Sequence, residues 1–231
     1  DAGLWHSLPI GDLYEMQGTL LQPVGGMDRI ADAFAQRLQG LIRFNAKVVD
    51  IHQDERGVRA TYEDTTAPGR RETAGADWCI CTLPLSILGQ VPMNVGRPMA
   101  DAISAVPYAA AVKVGLQFKR RFWEEDEHIY GGISYTSQPI GNIGYPSTGY
   151  HASGKGVLLG GYLWGKDAAR FTSMSPAERV REAVRQGREL HPQYDQEFDS
   201  GMSLAWHRAP GAMGCFALWS DEKRERHYGN L

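Results

Sequence analysis

Ala109-Ala-Ala-Val-Lys-Val-Gly-Leu-Gln-Phe118 is the stretch on which the fold turns. It reads as a strand that is apolar except for one lysine. Val112 and Val114 share one side and Lys113 takes the other, because successive side chains of a strand point to opposite faces. That lysine must snorkel, pair, meet solvent or serve chemistry, since burying an unpaired ammonium is costly. Further strand-like runs follow at Gly132–Thr136, Ile143–Tyr145, Val157–Trp164 and Met202–Trp206. Among them lies a helix over Pro176–Leu190. Ser175 and Glu178 have capping-box spacing, Pro176 takes the first position, and Val180, Ala183, Val184 and Gly187 line one face. Strands and a packed helix make this region a sheet-plus-helix layer. The glycine-rich Pro210–Phe216 stretch comes after it.

Upstream the texture differs. The first twenty residues, with Trp5 and Tyr14, carry no clear pattern. The chain turns at Gln22-Pro-Val-Gly-Gly-Met-Asp28. Ile30, Phe34, Leu38 and Ile42 then recur at helical spacing, with Asp28 as cap and Gly40 near the stop. Phe44, Ala46 and Val48 alternate with polar residues, and Val58, Ala60 and Tyr62 resume the alternation after Asp54-Glu-Arg-Gly57, which reads as a hairpin. Trp78-Cys-Ile-Cys-Thr-Leu83, ending at Pro84, is nearly continuously apolar and reads as a strand buried on both faces. The expected class is α+β, with an α/β portion at the front.

Composition bounds the function. The 231 residues are 42% hydrophobic, 10% aromatic and 22% charged, enough for one large domain or two small ones with a proper core. Disordered tails, collagen-like repeats and disulfide-stapled miniatures are excluded. No stretch approaches the roughly 18 apolar residues of a membrane span, and the first residues do not read as a signal peptide. With 24 basic against 27 acidic residues and a net charge of −3, no nucleic-acid footprint is expected. Three cysteines are too few for a disulfide framework, so a reducing cytoplasm is the default expectation.

No G-x-G-x-x-G, P-loop, H-E-x-x-H, C-x-x-C or G-x-S-x-G occurs. Cys79 and Cys81 share a strand face but lack further ligands at metal spacing, so buried structural thiols are expected and no metal site. Cys215 after Gly214 reads as a small core residue or a reactive thiol. The seven histidines are scattered and assemble no nucleophile–base pair. Tyr162 and Trp164 close an apolar strand and read as core or edge aromatics.

A series of segments in one order carries more. Gln22-Pro-Val-Gly-Gly-Met-Asp-Arg29, Phe44–Ile51, Val106-Pro-Tyr-Ala-Ala-Ala-Val-Lys-Val114 and Arg121-Phe-Trp-Glu-Glu-Asp126 are followed by Gly131-Gly-Ile-Ser-Tyr-Thr136 and Tyr145-Pro146. The series closes with Leu159–Ala168 and Trp206…Met213-Gly-Cys-Phe216. From about Gln22 to Trp219 the chain resembles the flavin-dependent amine oxidase family, and most closely its L-amino-acid oxidase branch. Gly131–Thr136, Gly144–Ser147 and Glu178–His191 are also similar to bacterial tryptophan, phenylalanine and lysine 2-monooxygenases.

The resemblance implies a two-domain flavoenzyme: a Rossmann-type FAD domain and a substrate domain of mixed sheet and helices. It places residues 21–84 in the FAD domain, 85–205 in the substrate domain and 206–231 on the return, with 1–20 as a leading segment. Val48 then matches a position whose backbone meets the adenine of FAD, and Thr82 and Pro84 match a strand end near the cofactor. Lys113 matches a lysine that holds a water against the flavin N5 edge. Tyr162 matches a tyrosine that hydrogen-bonds the substrate carboxylate, Phe216 matches a pocket-wall position beside the flavin, and Phe216 and Trp164 hint at an apolar or aromatic wall. Cys215 matches a cysteine that is covalently attached to flavin in monoamine oxidases, whereas L-amino-acid oxidases generally bind FAD non-covalently, as expected here. The implied reaction converts an L-amino acid to a 2-oxo acid, ammonia and hydrogen peroxide; a monooxygenase branch would release an amide instead. A non-catalytic binding module derived from the fold is the reading from another class. The resemblance further implies that the chain is the central part of an enzyme that forms homodimers. Lacking the family's glycine motif and its C-terminal closing segment, the chain alone is expected neither to retain FAD nor to turn over. Some relatives are secreted, against the cytoplasmic default.

Overall fold

The computed structural model describes residues 21–231. The leading segment with Trp5 and Tyr14 lies outside the described residues. Two compact units are distinguished, one taking in residues 21–47 and 63–71, the other residues 48–62 and 72–231.

In the first unit, α1 (Asp28–Arg37) ends sooner than its apolar spacing suggests. Asp28 opens the helix instead of capping it; Met27 is the N-cap, with no side-chain hydrogen bond. Leu38 leaves helical geometry at φ −104°, ψ 26°, two residues before Gly40 takes a positive φ of 81°. Glu63 and Arg71 of the same unit pair at 2.7 Å.

β1 (Ala46–Asp54), β2 (Gly57–Asp64) and β3 (Arg71–Ala76) form a three-stranded sheet in that order. The expected hairpin is β1–β2, turned where Arg56 N–H donates to Asp54 Oδ1 at 2.8 Å. Gly57 has φ 129°, and a Cβ there would overlap the Ala76 carbonyl, so the turn requires glycine. β3 gives no sequence signal, because Arg71-Glu-Thr-Ala-Gly-Ala76 has no large apolar residue to alternate.

The strand expected over Trp78–Leu83 is not formed. Trp78 is 89% and Ile80 91% exposed, and Cys79 and Cys81 are exposed free thiols, not buried ones. A strand apolar on both faces needs cover on both faces, and no described strand pairs with this stretch. After Pro84 the chain makes a helical turn over Leu85–Leu88 and then α2 (Arg97–Ala105).

The second sheet has the order β5-β6-β7-β4-β8: β4 (Ala111–Phe118), β5 (Ile133–Tyr135), β6 (Asn142–Gly144), β7 (Gly156–Trp164) and β8 (Phe198–Ala205). Each recorded pairing is antiparallel. β8 begins four residues before the expected Met202 and ends before Trp206, which enters a single 3-10 turn. Val112, Val114, Leu116 and Phe118 are fully buried on one face of β4. Trp123, Phe171, Ala183 and Tyr194 join them in the core. β7 slips by one residue against β4: Val114 faces Gly161 and Gly115 faces Leu159. Gly160 is the skipped residue, and a Cβ there would overlap the Leu116 side chain.

Two helices cover the buried face, α3 (Gly165–Thr172) and α4 (Pro176–Gly187). The capping box of α4 is present with both of its bonds, through Ser175 and Glu178. α4 ends at Gly187, three residues before the expected Leu190, where the Tyr194 ring lies so close that a Cβ would overlap it. Buried Arg179 donates to the carbonyl of Phe171 at 2.8 Å, closing the end of α3. Gln186 accepts from Ile140 N–H at 2.9 Å, tying α4 to the loop before β6.

Glu182 on α4 accepts from Arg185 at 2.7 Å and from Gln186 at 2.6 Å, and these bonds hold its pKa down at about 2, against 4.5 for a free carboxyl. A depressed folded-state pKa contributes stability that is complete above pH 4.5 and is lost as pH falls towards 2. Arg185 is half exposed, so solvent reduces the contribution to about 1 kcal/mol. Wild type and Glu182→Gln should therefore differ in melting temperature at pH 7 and converge near pH 2. Parallel curves across that range would refute the assignment.

Candidate functional site

The face of the second sheet away from α3 and α4 carries the site. Lys113 and Tyr162 are direct partners across the β4–β7 ladder, so both side chains stand on that face. The Lys113 ammonium lies 4.5 Å from the centre of the Tyr162 ring. Its donors meet no hydrogen-bond acceptor among the described residues. Two residues along β7, Trp164 packs on Tyr162 with centroids 4.5 Å apart. Phe216 follows at 5.5 Å from Trp164. The face continues with apolar side chains: Val157, Met202 and Leu204 are exposed.

Cys215 completes the group from a loop. Its N–H donates to Ala109 O at 2.9 Å, and Ala109 N–H donates to Phe216 O at 2.9 Å. These bonds clip the loop beside the start of β4 and bring the Cys215 sulfur to the Tyr162 hydroxyl. Burial first, and then the Cys215 sulfur, push the Tyr162 phenol up to about 12. Tyr162 is therefore a neutral hydroxyl at any physiological pH.

Five residues singled out in the sequence, Lys113, Tyr162, Trp164, Cys215 and Phe216, thus meet in one place. Val48 does not join them; it is half-buried on β1 of the other sheet. Thr82 is exposed in the extended stretch, and Pro84 sits at the N-cap of the turn Leu85–Leu88. Beside that stretch opens a cleft of about 310 Å³, lined by Ile51, Val58, Cys81, Leu83, Leu88 and Met99 among others. Sequence patterns did not reveal Ser86, Gln90 and Tyr108, which bind the loop before Cys215. Their partners are backbone and sulfur atoms distant in sequence, and periodicity carries no trace of such bonds. Among the described residues no cluster of His, Cys, Asp and Glu suits a metal ion.

The residues on this face fit a flavin edge. An ammonium with free donors suits a ring nitrogen or a water bound to it, and flat aromatic and aliphatic side chains suit a planar, largely apolar partner.

The profile of the family described as "Flavin containing amine oxidoreductase" matches residues 8–231. The chain is 33% identical over 201 residues to YobN of Bacillus subtilis (strain 168), covering 84% of this chain and 41% of that protein. It is 33% identical over 199 residues to an L-amino-acid oxidase of Mus musculus, covering 84% of this chain and 30% of the mouse protein. Among solved structures, a putrescine oxidase A394C mutant superposes with a TM-score of 0.74 at 16% identity, over 89% of this chain and 44% of that one. Cyclohexylamine oxidase from Brevibacterium oxydans IH-35A gives 0.70 at 18% identity, over 90% of this chain and 44% of its own. The chain spans less than half the length of these relatives. A family match along nearly the whole chain, relatives at 33% identity and a shared fold converge on one conclusion: the chain belongs to the flavin-containing amine oxidoreductase family.

Proposed function

We propose that this chain provides the substrate face of an FAD-dependent L-amino-acid oxidase, which forms a 2-oxo acid, ammonia and hydrogen peroxide. The observation that carries the reading is the Lys113 ammonium held over its cross-strand partner Tyr162 on an open apolar face. The names of the sequence relatives, L-amino-acid oxidases among them, support the substrate class. FAD, when bound, would supply the redox chemistry as the hydride acceptor, and the residues of this chain would orient the substrate towards it. In this reading Lys113 holds a water at the reacting edge and moves a proton there. Tyr162, kept neutral, donates its hydroxyl to the substrate carboxylate. Trp164 and Phe216 exclude water and press the substrate towards the cofactor. Val48, Thr82 and Pro84 belong to the cofactor's side, and Cys215 holds the tyrosine without a bond to the flavin. Segments corresponding to the rest of the relatives' length complete the cofactor site.

The test is anaerobic addition of L-amino acids to the flavin-loaded full-length enzyme. Bleaching of the flavin band, with a 2-oxo acid as the aerobic product, supports the reading. An amide product would make the enzyme a monooxygenase, and a protein that binds amino acids without bleaching would be a binding module. Tyr162→Phe removes one hydrogen bond to a charged carboxylate, worth about 1.5–3 kcal/mol. It should raise KM between about tenfold and a hundredfold while changing kcat little. An unchanged KM would remove Tyr162 from substrate binding.

A further inference from the structure

The loop that carries Cys215 and Phe216 is bolted to the turn that follows Thr82 and Pro84, and one residue makes the central bond. Tyr108 Oη accepts the Leu85 N–H at 2.9 Å. That N–H is one of the donors left unpaired at the start of a helical turn, and no side-chain cap meets this turn from within its own sequence. The Tyr108 ring lies directly against Gly214, where any Cβ would overlap it. The backbone of Tyr108 bridges antiparallel to Ala217, and Leu218 N–H donates to Pro107 O at 2.8 Å. Two lesser bonds run in parallel: Ser86 Oγ donates to Ala212 O at 2.7 Å, and Gln90 Nε2 approaches Met213 Sδ at 2.9 Å. Met213 itself is held at a φ of 47°, a left-handed conformation unusual for methionine, so the loop is fixed against its own backbone preference.

We propose that Tyr108 is a positioning residue for the reaction, fixing the Phe216 wall and the Cys215–Tyr162 contact relative to the Thr82–Pro84 segment. The inference rests on the oxidase reading above. Its physical content is that two walls of one site, one assigned to cofactor and one to substrate, are set at a fixed separation by the Tyr108 phenol, with the Ser86 and Gln90 bonds beside it. Lys113 and Tyr162 stand on the sheet and do not depend on this bond; the loop of Cys215 and Phe216, clipped to Ala109 through its own backbone, depends on it for its distance from the turn that follows Pro84.

Tyr108→Phe deletes only the hydroxyl and keeps the ring on Gly214. In the flavin-loaded full-length enzyme it should slow flavin reduction at saturating substrate about tenfold, with KM changed less than twofold and the melting temperature within 2 °C, because near-attack geometry is sensitive to small displacements. It should also alter the visible circular dichroism of the resting flavin, which reports the asymmetry of the flavin's surroundings without any turnover. Normal reduction with an unaltered flavin spectrum would overturn the proposal. A rate loss matched by a large fall in melting temperature would overturn it too, making Tyr108 merely structural. If no L-amino acid reduces the wild-type flavin, the oxidase reading fails. The spectrum then decides alone: a shift in Tyr108→Phe sustains the coupling and no shift ends it.

Discussion

Lys113→Met in the flavin-loaded full-length enzyme is expected to lower turnover about a hundredfold while leaving the fold almost untouched. The two halves of this expectation come from different features of one side chain. Lys113 sits on the open face of β4, opposite fully buried Val112 and Val114, so its stem packs on the sheet surface and its ammonium supports no core. Its contact with the Tyr162 ring is a half-exposed cation–π pair, worth about 0.5–1 kcal/mol. Methionine has nearly the same length and would keep the stem's packing. What it removes is a group able to hold water and pass a proton, and positioned acid–base groups contribute about 100- to 10,000-fold. The lower end applies here because Tyr162 would keep substrate in place. The measurement is stopped-flow absorbance, following anaerobic reduction and then reoxidation by oxygen, beside a thermal melt. If both half-reactions keep their wild-type rates, Lys113 has no part in the chemistry. If the melt falls by many degrees, the lysine is a structural residue and the rate loss says nothing about catalysis.

How far this site could be read in the sequence depended on what kind of interaction fixes each part. β4, β7 and α4 were legible because alternation, apolar density and a capping box are local signals that the fold obeys. Lys113 and Tyr162 each stood out as polar groups in apolar strands. That they face one another follows from the β4–β7 register, and the register includes a slip at Gly160 that no local pattern marks. The resemblance supplied roles for Val48, Thr82, Pro84, Cys215 and Phe216 that periodicity never could. Trp78–Leu83 shows the opposite case. Its composition is right for a central strand, but a strand exists only through its neighbours, and none of the described strands pairs with it. The loop around Cys215 was unreadable for a related reason. Its path is dictated by backbone bonds to Ala109 and Pro107 and by Tyr108 packing on Gly214, contacts about a hundred residues apart in sequence.

Phe118→Ala is expected to be the most destabilising single truncation, costing about 4 kcal/mol. Phe118 ends β4 and is fully buried. Its ring meets Tyr194 at 4.6 Å, Phe122 at 5.1 Å, and Trp123 and Phe198 each at 6.2 Å. These four rings come from three places in the chain: the turn after β4, the turn before β8, and the first residue of β8. Phe118 therefore joins the strand that carries Lys113 to the segments on either side of it. Removing the ring leaves a cavity that its neighbours cannot fill easily, because Tyr194 is already pressed against Gly187 and Trp123 against Gly156. Val157→Ala on the same sheet is the control. Val157 is 53% exposed, on the opposite face, and should cost no more than about 0.5 kcal/mol. Urea unfolding of the two variants, compared at equal slope, measures the difference. A Phe118→Ala cost near that of Val157→Ala would mean that the aromatic cluster does not hold β4. The stability of the sheet that carries Lys113 would then rest on its packing against α3 and α4.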